Sequence, residues 1–146
     1  MFTGRASCLV LHGGASTSER SHWSVLRQNL SSRGIGSVAV DFSRHGESSA
    51  RTANSLSKRD REALAALQYL DEAEPRAVVG ISMSGEIAVR LAADPRDRIA
   101  RLITVVGAAY DSEALAWRHA RSDVVLPDVE TEWLEFRSQP KIQIPR

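Results

Sequence analysis

The chain has 146 residues, 42% of them hydrophobic and 25% charged, so it is long and apolar enough to bury the core of a single domain. This composition excludes an intrinsically disordered chain. The 19 basic and 18 acidic residues give a formal net charge of +1, which argues against nucleic acid or an anionic membrane as a partner. Because Cys8 is the only cysteine, neither an internal disulfide nor a cysteine metal cluster can form.

The apolar segments are short. Runs such as residues 8–11 cannot span a bilayer, and the first 14 residues lack the apolar stretch of a signal peptide. We therefore expect a soluble, cytoplasmic protein with one domain over residues 1–146.

The first half of the chain alternates between short apolar runs and segments with helical spacing, as α/β proteins do. Residues 6–11 predict a buried strand that ends in a glycine-rich turn at 12–14. A helix over 19–32 and a second strand over 37–42 follow.

The alternation continues to Gly107, with a helix over 57–73, a strand over 77–81, a helix that ends before Pro95 and a strand over 99–106. Strands this short and apolar suit a parallel sheet covered by helices on both faces. The sequence therefore predicts an α/β fold with three layers, α/β/α, around a mostly parallel sheet. The apolar face of the helix over 57–73 is predicted to contain Leu64, Leu67, Tyr69 and Leu70. Weaker patterns predict helices over 111–120 and 127–136 and a strand over 141–144.

A serine lies between small residues where the third predicted strand meets the next helix, in the sequence GISMSG at 80–85. A serine in this pattern can occupy a sharp strand-to-helix turn that exposes its hydroxyl at the helix N-terminus. The usual pattern is G-x-S-x-G, and here Ser84 replaces the second glycine. The alternative interpretation of Ser82 is a turn that only connects a strand to a helix.

The glycine-rich turn after the first strand supports chemistry at Ser82. Its backbone N–H groups can point into the same crevice, where Gly14 and Met83 would provide the two donors of an oxyanion hole. We expect the side chain of His12 to be structural, and that of His22 to be packed or solvated.

Four segments together resemble the α/β-hydrolase superfamily. LVLHGGAS at 9–16 resembles the oxyanion strand and loop of that family, and VDFSRHGES at 40–48 its D-x-R-G-H-G-x-S segment, with a changed order at Arg44-His45-Gly46. VVGISMSG at 78–85 resembles the nucleophile elbow, and RLITVVGAAY at 101–110 the strand after it. The segments follow the family's order over residues 6–110. The resemblance implies a truncated α/β-hydrolase fold, with Ser82 where the chain direction switches and a structural role for His45.

The resemblance also implies an acid and then a histidine base after the serine. Asp123 in DVVLP is similar to the acid, with Asp111 as the alternative, although a surface helix or a helix cap would also explain these aspartates. His119 is the only histidine after Ser82, and an exposed helical position is its competing interpretation. Residues 141–145 resemble the final strand, so the chain is similar to a hydrolase that lacks its cap and its catalytic-histidine segment.

The resulting hypothesis is hydrolysis of an ester, thioester or amide through an acyl-Ser82 intermediate, with Asp123 and His119 as the other catalytic residues. The predicted ligand is a small acyl compound, and no metal or cofactor is implied. The alternatives are a non-catalytic hydrolase-like binding module or a truncated gene product without independent function. Missing strands would expose a sheet edge, which a homodimer or a strand-completing partner would cover.

Overall fold

The computed structural model describes residues 6–50 and 55–107, which form a four-stranded parallel sheet with helices on both faces. The order of the strands is β2-β1-β3-β4, and each neighbouring pair is parallel. The strands are β1 (Ala6–Leu11), β2 (Gly36–Val40), β3 (Arg76–Ile81) and β4 (Ile99–Val105). The helices are α1 (Ser24–Ser31), α2 (Leu56–Leu67) and α3 (Ser84–Ala93), with 3₁₀ turns at Arg20–Trp23 and Pro95–Asp97. Within the described ranges, no helix is both long enough and apolar enough to cross a membrane.

The side chains of β1 alternate between two cores. Leu9 and Leu11 belong to the core that includes the buried residues of α2 and α3. Cys8 and Val10 face the opposite side, where Leu26 of α1 packs against them. Because successive side chains of a strand point to opposite faces, a single strand contacts both helical layers. The predicted three-layer α/β/α architecture is confirmed.

The order of the strands creates a crevice at the carboxyl ends of β1 and β3. The chain passes from β1 to β2 on one side, and then returns across β1 to form β3 on the other side. In open parallel sheets, ligands bind where the connections diverge in this way. Residues 12–14 follow β1 and Ser82 follows β3, so this topology brings two distant parts of the sequence to one crevice.

The predicted helix over 57–73 is longer than the helix observed. Helix α2 ends at Leu67, and Leu70 pairs with Ala6 in an isolated parallel bridge. Leu67 and Leu70 are buried as expected, whereas Tyr69 is 75% exposed and Leu64 is 39% exposed. A single helical spacing over 57–73 predicts all four on one face. The helix ends before Tyr69, so the spacing does not apply to that residue.

The predicted strand over 99–106 is confirmed as β4, which is the edge strand of the described sheet. Leu102 and Ile103 are consecutive and therefore point to opposite faces, and they are 42% and 50% exposed. Within residues 6–50 and 55–107, the expected cover on both faces is therefore incomplete at this edge. The elements predicted after Gly107 lie outside the described residues.

Gly80 allows β3 and α3 to approach each other closely. A Cβ atom at this position would overlap the carbonyl oxygen of Ser84 and lie 2.6 Å from the Cβ of Ala88. Carbon atoms in contact are normally about 3.5–4.0 Å apart, so any side chain here would push the helix away from the strand.

We predict that Gly80→Ala lowers the free energy of unfolding by about 3 kcal/mol, because the atoms that it meets are backbone and a packed helical side chain. Gly34→Ala is the matched control. Gly34 has a φ of +78°, and no atom lies within 4 Å of the position that a methyl group would take there, so only backbone strain of about 1 kcal/mol is expected. Urea unfolding measures the free energy of unfolding of both variants. A loss for Gly80→Ala no larger than that for Gly34→Ala would contradict the close packing of β3 against α3.

Candidate active site

Ser82 occupies a strained turn between β3 and α3. Its φ is +52°, in the left-handed region that residues other than glycine rarely adopt. Its N–H donates to the carbonyl oxygen of Val105 at 2.9 Å, and its carbonyl oxygen accepts from the N–H of Gly85 at 2.8 Å. These bonds tie the turn to the end of β4 and to the first turn of α3. The serine itself is exposed.

The glycine turn (residues 12–14) lies against the serine turn (residues 80–85). A Cβ atom on Gly13 would be 3.3 Å from the Cβ of Ser82, and one on Gly14 would be 2.7 Å from the Sδ of Met83. The glycines therefore allow the two backbones to approach closely. Among the residues that the structure describes, neither the Gly14 N–H nor the Met83 N–H has a hydrogen-bond acceptor.

The structure brings Ser82, Gly14 and Met83 together at the crevice, as their positions in the sequence led us to expect. Asp123, His119 and the alternative acid Asp111 lie outside the described residues, so their roles stay predictions.

His12 is buried beneath the glycine turn and is 1% exposed. Its Nε2 accepts a hydrogen bond from the Phe42 N–H at 3.2 Å, so Nδ1 carries the proton and donates to the Gly13 carbonyl oxygen at 2.7 Å. Burial, with a smaller effect from the positive charge of Arg59, lowers the pKa of His12 to about 4, although the hydrogen bond to the Gly13 carbonyl acts in the opposite direction. The ring is neutral near pH 7 and holds the turn, in agreement with the structural role inferred for it.

Arg59 of α2 is a buried cation on the inner side of the same turn and is 1% exposed. Its Nη1 donates to the carbonyl oxygens of His12 at 3.3 Å and Gly13 at 3.1 Å. The guanidinium carbon lies 4.4 Å from the centre of the Phe42 ring. Its Nη2 is 2.8 Å from the Nε2 of His45. The guanidinium is thus held on several sides while it contacts two consecutive backbone carbonyls.

His45 supports this arrangement from the segment after β2. Since its Nε2 accepts from Arg59, its Nδ1 carries the proton and donates to the Ser18 carbonyl oxygen at 2.9 Å. Burial and the adjacent guanidinium both lower the pKa of His45. Both ring nitrogens are occupied by structural contacts, which agrees with the structural role that the resemblance implied.

Ser84 is fully buried, and it joins the serine turn to the glycine turn. Its Oγ donates to the His12 carbonyl oxygen at 2.5 Å and lies 3.4 Å from the Nη1 of Arg59. The departure from the G-x-S-x-G pattern therefore adds a hydrogen bond between the two turns.

Asp41 organises the segment at 40–48. Its carboxylate accepts from the N–H groups of Arg20 at 2.7 Å and Glu47 at 3.0 Å. Gly46 has a φ of +45°, and a Cβ atom there would lie 2.5 Å from that carboxylate. Asp41 therefore has a structural role: its carboxylate fixes the loop that carries His45.

Sequence reasoning missed Arg59. The signal was nevertheless present, because Arg59 shares the buried face of α2 with Ala63, Ala66 and Leu67 at helical spacing. An arginine at a core-facing position needs buried acceptors, and here those acceptors are the carbonyls of the glycine turn.

Other chemistry within the described residues is limited. Across residues 6–50 and 55–107, no group of three or more histidine, cysteine, aspartate or glutamate side chains could hold a metal ion. Burial raises the pKa of the Cys8 thiol, so this thiol is a poor nucleophile in the folded protein. Ser82 is exposed at the described crevice.

These features define a parallel α/β protein with an exposed serine in a strand-to-helix turn at its topological switch point. The model of the alpha/beta hydrolase family matches residues 8–144, and the chain belongs to this family. The resemblance found in the four sequence segments is thereby confirmed. No curated protein compared with the chain matches it significantly.

We predict that the protein loses stability as the pH falls from 7 towards 4. The pKa of His12 decreases from 6.5 to about 4 on folding, so the unfolded chain takes up this proton first and acid favours unfolding. At pH 4, the titration of His12 lowers the free energy of unfolding by about 3 kcal/mol relative to pH 7. Urea unfolding should give a smaller difference between pH 7 and pH 5 for His12→Asn than for the wild type.

His22→Asn, which replaces an exposed histidine, is the control and should keep the wild-type difference. An unchanged difference in His12→Asn would contradict the assignment of a buried neutral His12.

Proposed function

We propose that the protein is a serine hydrolase that cleaves an ester, thioester or amide of a small acyl compound through an acyl-Ser82 intermediate. One observation carries the proposal. The exposed Ser82 lies in a left-handed turn beside the N–H groups of Gly14 and Met83, which have no acceptor among the described residues. Membership of the alpha/beta hydrolase family supports the same reaction class.

In the proposed reaction, the Oγ of Ser82 attacks the acyl carbon and its proton passes to a base. The carbonyl oxygen becomes an oxyanion, which accepts hydrogen bonds from the N–H groups of Gly14 and Met83. Collapse of this intermediate expels the alcohol, thiol or amine with a proton, and water then releases the acid from Ser82. We assign the base to His119 and the acid that orients it to Asp123, with Asp111 as the alternative acid.

The position of α3 favours this use of the crevice. The helix begins at Ser84, two residues after Ser82, so its N-terminal end faces the region where negative charge develops. The positive end of a helix dipole stabilises a nearby anion by about 0.3–1 kcal/mol, and more in a partly buried position.

A second candidate function is a non-catalytic module that binds a partner along β4. The exposed apolar residues Leu102 and Ile103 on opposite faces of this edge strand favour it, because such an edge can pair with a second copy or with a strand-completing partner. A module of this kind does not require a reactive Ser82, so a probe of serine reactivity separates the two functions.

We predict that an alkyl fluorophosphonate forms one adduct per chain in the wild type and none in Ser82→Ala, because only an activated hydroxyl displaces the fluoride. Intact-mass analysis gives the stoichiometry, and peptide mapping locates the adduct. Ser57→Ala, on the exposed face of α2, is the matched control and should react like the wild type. A folded wild type that forms no adduct would favour the binding module.

We also predict that His119→Ala slows this labelling by about 10²–10⁴-fold, the usual contribution of a general base. His22→Ala should leave the rate unchanged. Asp123→Asn and Asp111→Asn, compared in the same assay, identify the acid as the residue whose replacement slows labelling. If His119→Ala reacts as fast as the wild type, the base is another group.

A further inference from the structure

We propose that Arg59 is a positioning residue that fixes the direction of the Gly14 N–H, with Ser84 in a supporting role. The use of that N–H in catalysis rests on the proposed function, whereas the direction of the peptide group can be tested without it.

Four hydrogen bonds hold the carbonyl groups of the glycine turn towards the protein interior. The His12 oxygen accepts from the Ser84 Oγ at 2.5 Å and from the Arg59 Nη1 at 3.3 Å. The Gly13 oxygen accepts from the His12 Nδ1 at 2.7 Å and from the same Nη1 at 3.1 Å. All three donor residues are buried, so water does not compete for these carbonyls.

The direction of a carbonyl fixes the direction of the next N–H. The described chain contains no cis peptide bond, and in a trans peptide the C=O and the following N–H point in opposite directions. With the Gly13 oxygen directed at Arg59, the Gly14 N–H is directed away from Arg59. A flipped Gly13–Gly14 peptide would instead present its carbonyl oxygen to the crevice, where it would repel a developing oxyanion.

This peptide needs external donors because its own residues resist a flip weakly. Glycine populates positive and negative φ about equally, so neither Gly13 nor Gly14 opposes a flip by steric clash of a side chain. Glycine at these positions nevertheless lets the turn lie close to Ser82 and to the flexible end of the Met83 side chain. The close approach therefore creates a flexible peptide, and the buried donors restore its direction.

Arg59 is better suited to this task than a neutral donor. Its Nη1 reaches both carbonyls, and a charged donor forms a hydrogen bond roughly twice as strong as a neutral one. The guanidinium is itself held by His45 at 2.8 Å and lies over the Phe42 ring, so it cannot easily follow the turn. Arg59 thus acts on Ser82 chemistry through the glycine turn.

The test compares Arg59→Met, which keeps the aliphatic stem and removes the donors, with Arg59→Lys and Ser84→Ala. Each is assayed on p-nitrophenyl acetate and on the matching thionoester, whose sulfur is a poor hydrogen-bond acceptor. We expect Arg59→Met to lower kcat by about 10²-fold with little change in KM, the result of losing a contact made only in the transition state. The preference for the oxygen ester over the thionoester should fall as well. Arg59→Lys should recover part of the kcat and part of the preference for the oxygen ester. Ser84→Ala should lower both quantities less than Arg59→Met does.

Arg76→Met is the matched control, because Arg76 is also buried but lies at the opposite end of β3, where it bonds the carbonyl oxygens of Asp71 and Asp97. It should lower the thermal midpoint and leave kcat and the ester preference unchanged. If Arg59→Met lowers kcat while the preference stays at the wild-type value, Arg59 only stabilises the fold and the proposal is overturned.

A second measurement separates this proposal from the proposed function. Crystal structures of the wild type and of Arg59→Met should show the Gly13 carbonyl directed inward in the first, and outward or in two orientations in the second. A single inward orientation in both overturns the proposal, even if the wild type proves to be an active hydrolase. A folded wild type that forms no fluorophosphonate adduct overturns the proposed function and leaves the orientation test decisive. If Arg59→Met does not fold, the test uses Arg59→Lys and Ser84→Ala instead. The proposal is overturned if both variants keep the wild-type preference for the oxygen ester and the wild-type orientation of the Gly13 carbonyl.

Discussion

The backbone carbonyls of His12 and Gly13 must point into the protein if the N–H groups that follow them are to point into the crevice. Most of the described structure helps to hold these two carbonyls in that direction. The order β2-β1-β3-β4 places the end of β1 beside the end of β3, so the glycine turn meets the serine turn. Helix α2 covers this region and supplies Arg59 to the carbonyls. Ser84 bonds the same turn from the start of α3. The strand order, Arg59 of α2 and Ser84 therefore all act on the same glycine turn.

The electrostatics of the crevice depend on one buried cation. Removing a guanidinium from water is expensive unless its donors are satisfied, and here carbonyl oxygens and the neutral ring of His45 satisfy them. Burial, together with the same charge, lowers the pKa values of His12 and His45, which favours neutral rings with fixed hydrogen-bond directions. Hydrogen bonds in a chain polarise one another, so a cation behind the Gly13 carbonyl strengthens the Gly14 N–H as a donor on the other side. Within the proposed function, positioning and polarisation act in the same direction.

The sequence predicts the strands and the strand-to-helix turn at Ser82 well, because short apolar runs and a serine between small residues are local signals. The six-residue strand at 6–11 and the turn at 80–85 need no knowledge of distant residues. Arg59 was missed for the opposite reason. Its acceptors are 46 and 47 residues away, and its charge predicts a solvated position although its helical spacing matches the core-facing residues of α2. Ser84 illustrates the same limit, since a motif comparison records it as a missing glycine while its bond to His12 exists only in three dimensions. Tyr69 was assigned to the core because the spacing gives no indication that α2 ends at Leu67.

The conformational costs in the crevice favour an enzyme over a module that only binds along β4. The left-handed backbone of Ser82 costs about 1–2 kcal/mol, and the burial of Arg59 adds a desolvation penalty. Neither feature contributes to a surface formed by Leu102 and Ile103 at the sheet edge, which lies on a strand outside the two turns. Strain of this kind persists where the surrounding structure holds it in place. Arg44, Arg98 and Val106 also have positive φ, but Ser82 combines this backbone with an exposed position beside the glycine turn. Within the proposed function, a strained, exposed serine beside N–H groups that have no acceptor among the described residues suits charge that develops during a reaction. The β4 edge can bind a partner in addition, but that role does not explain the arrangement around Ser82.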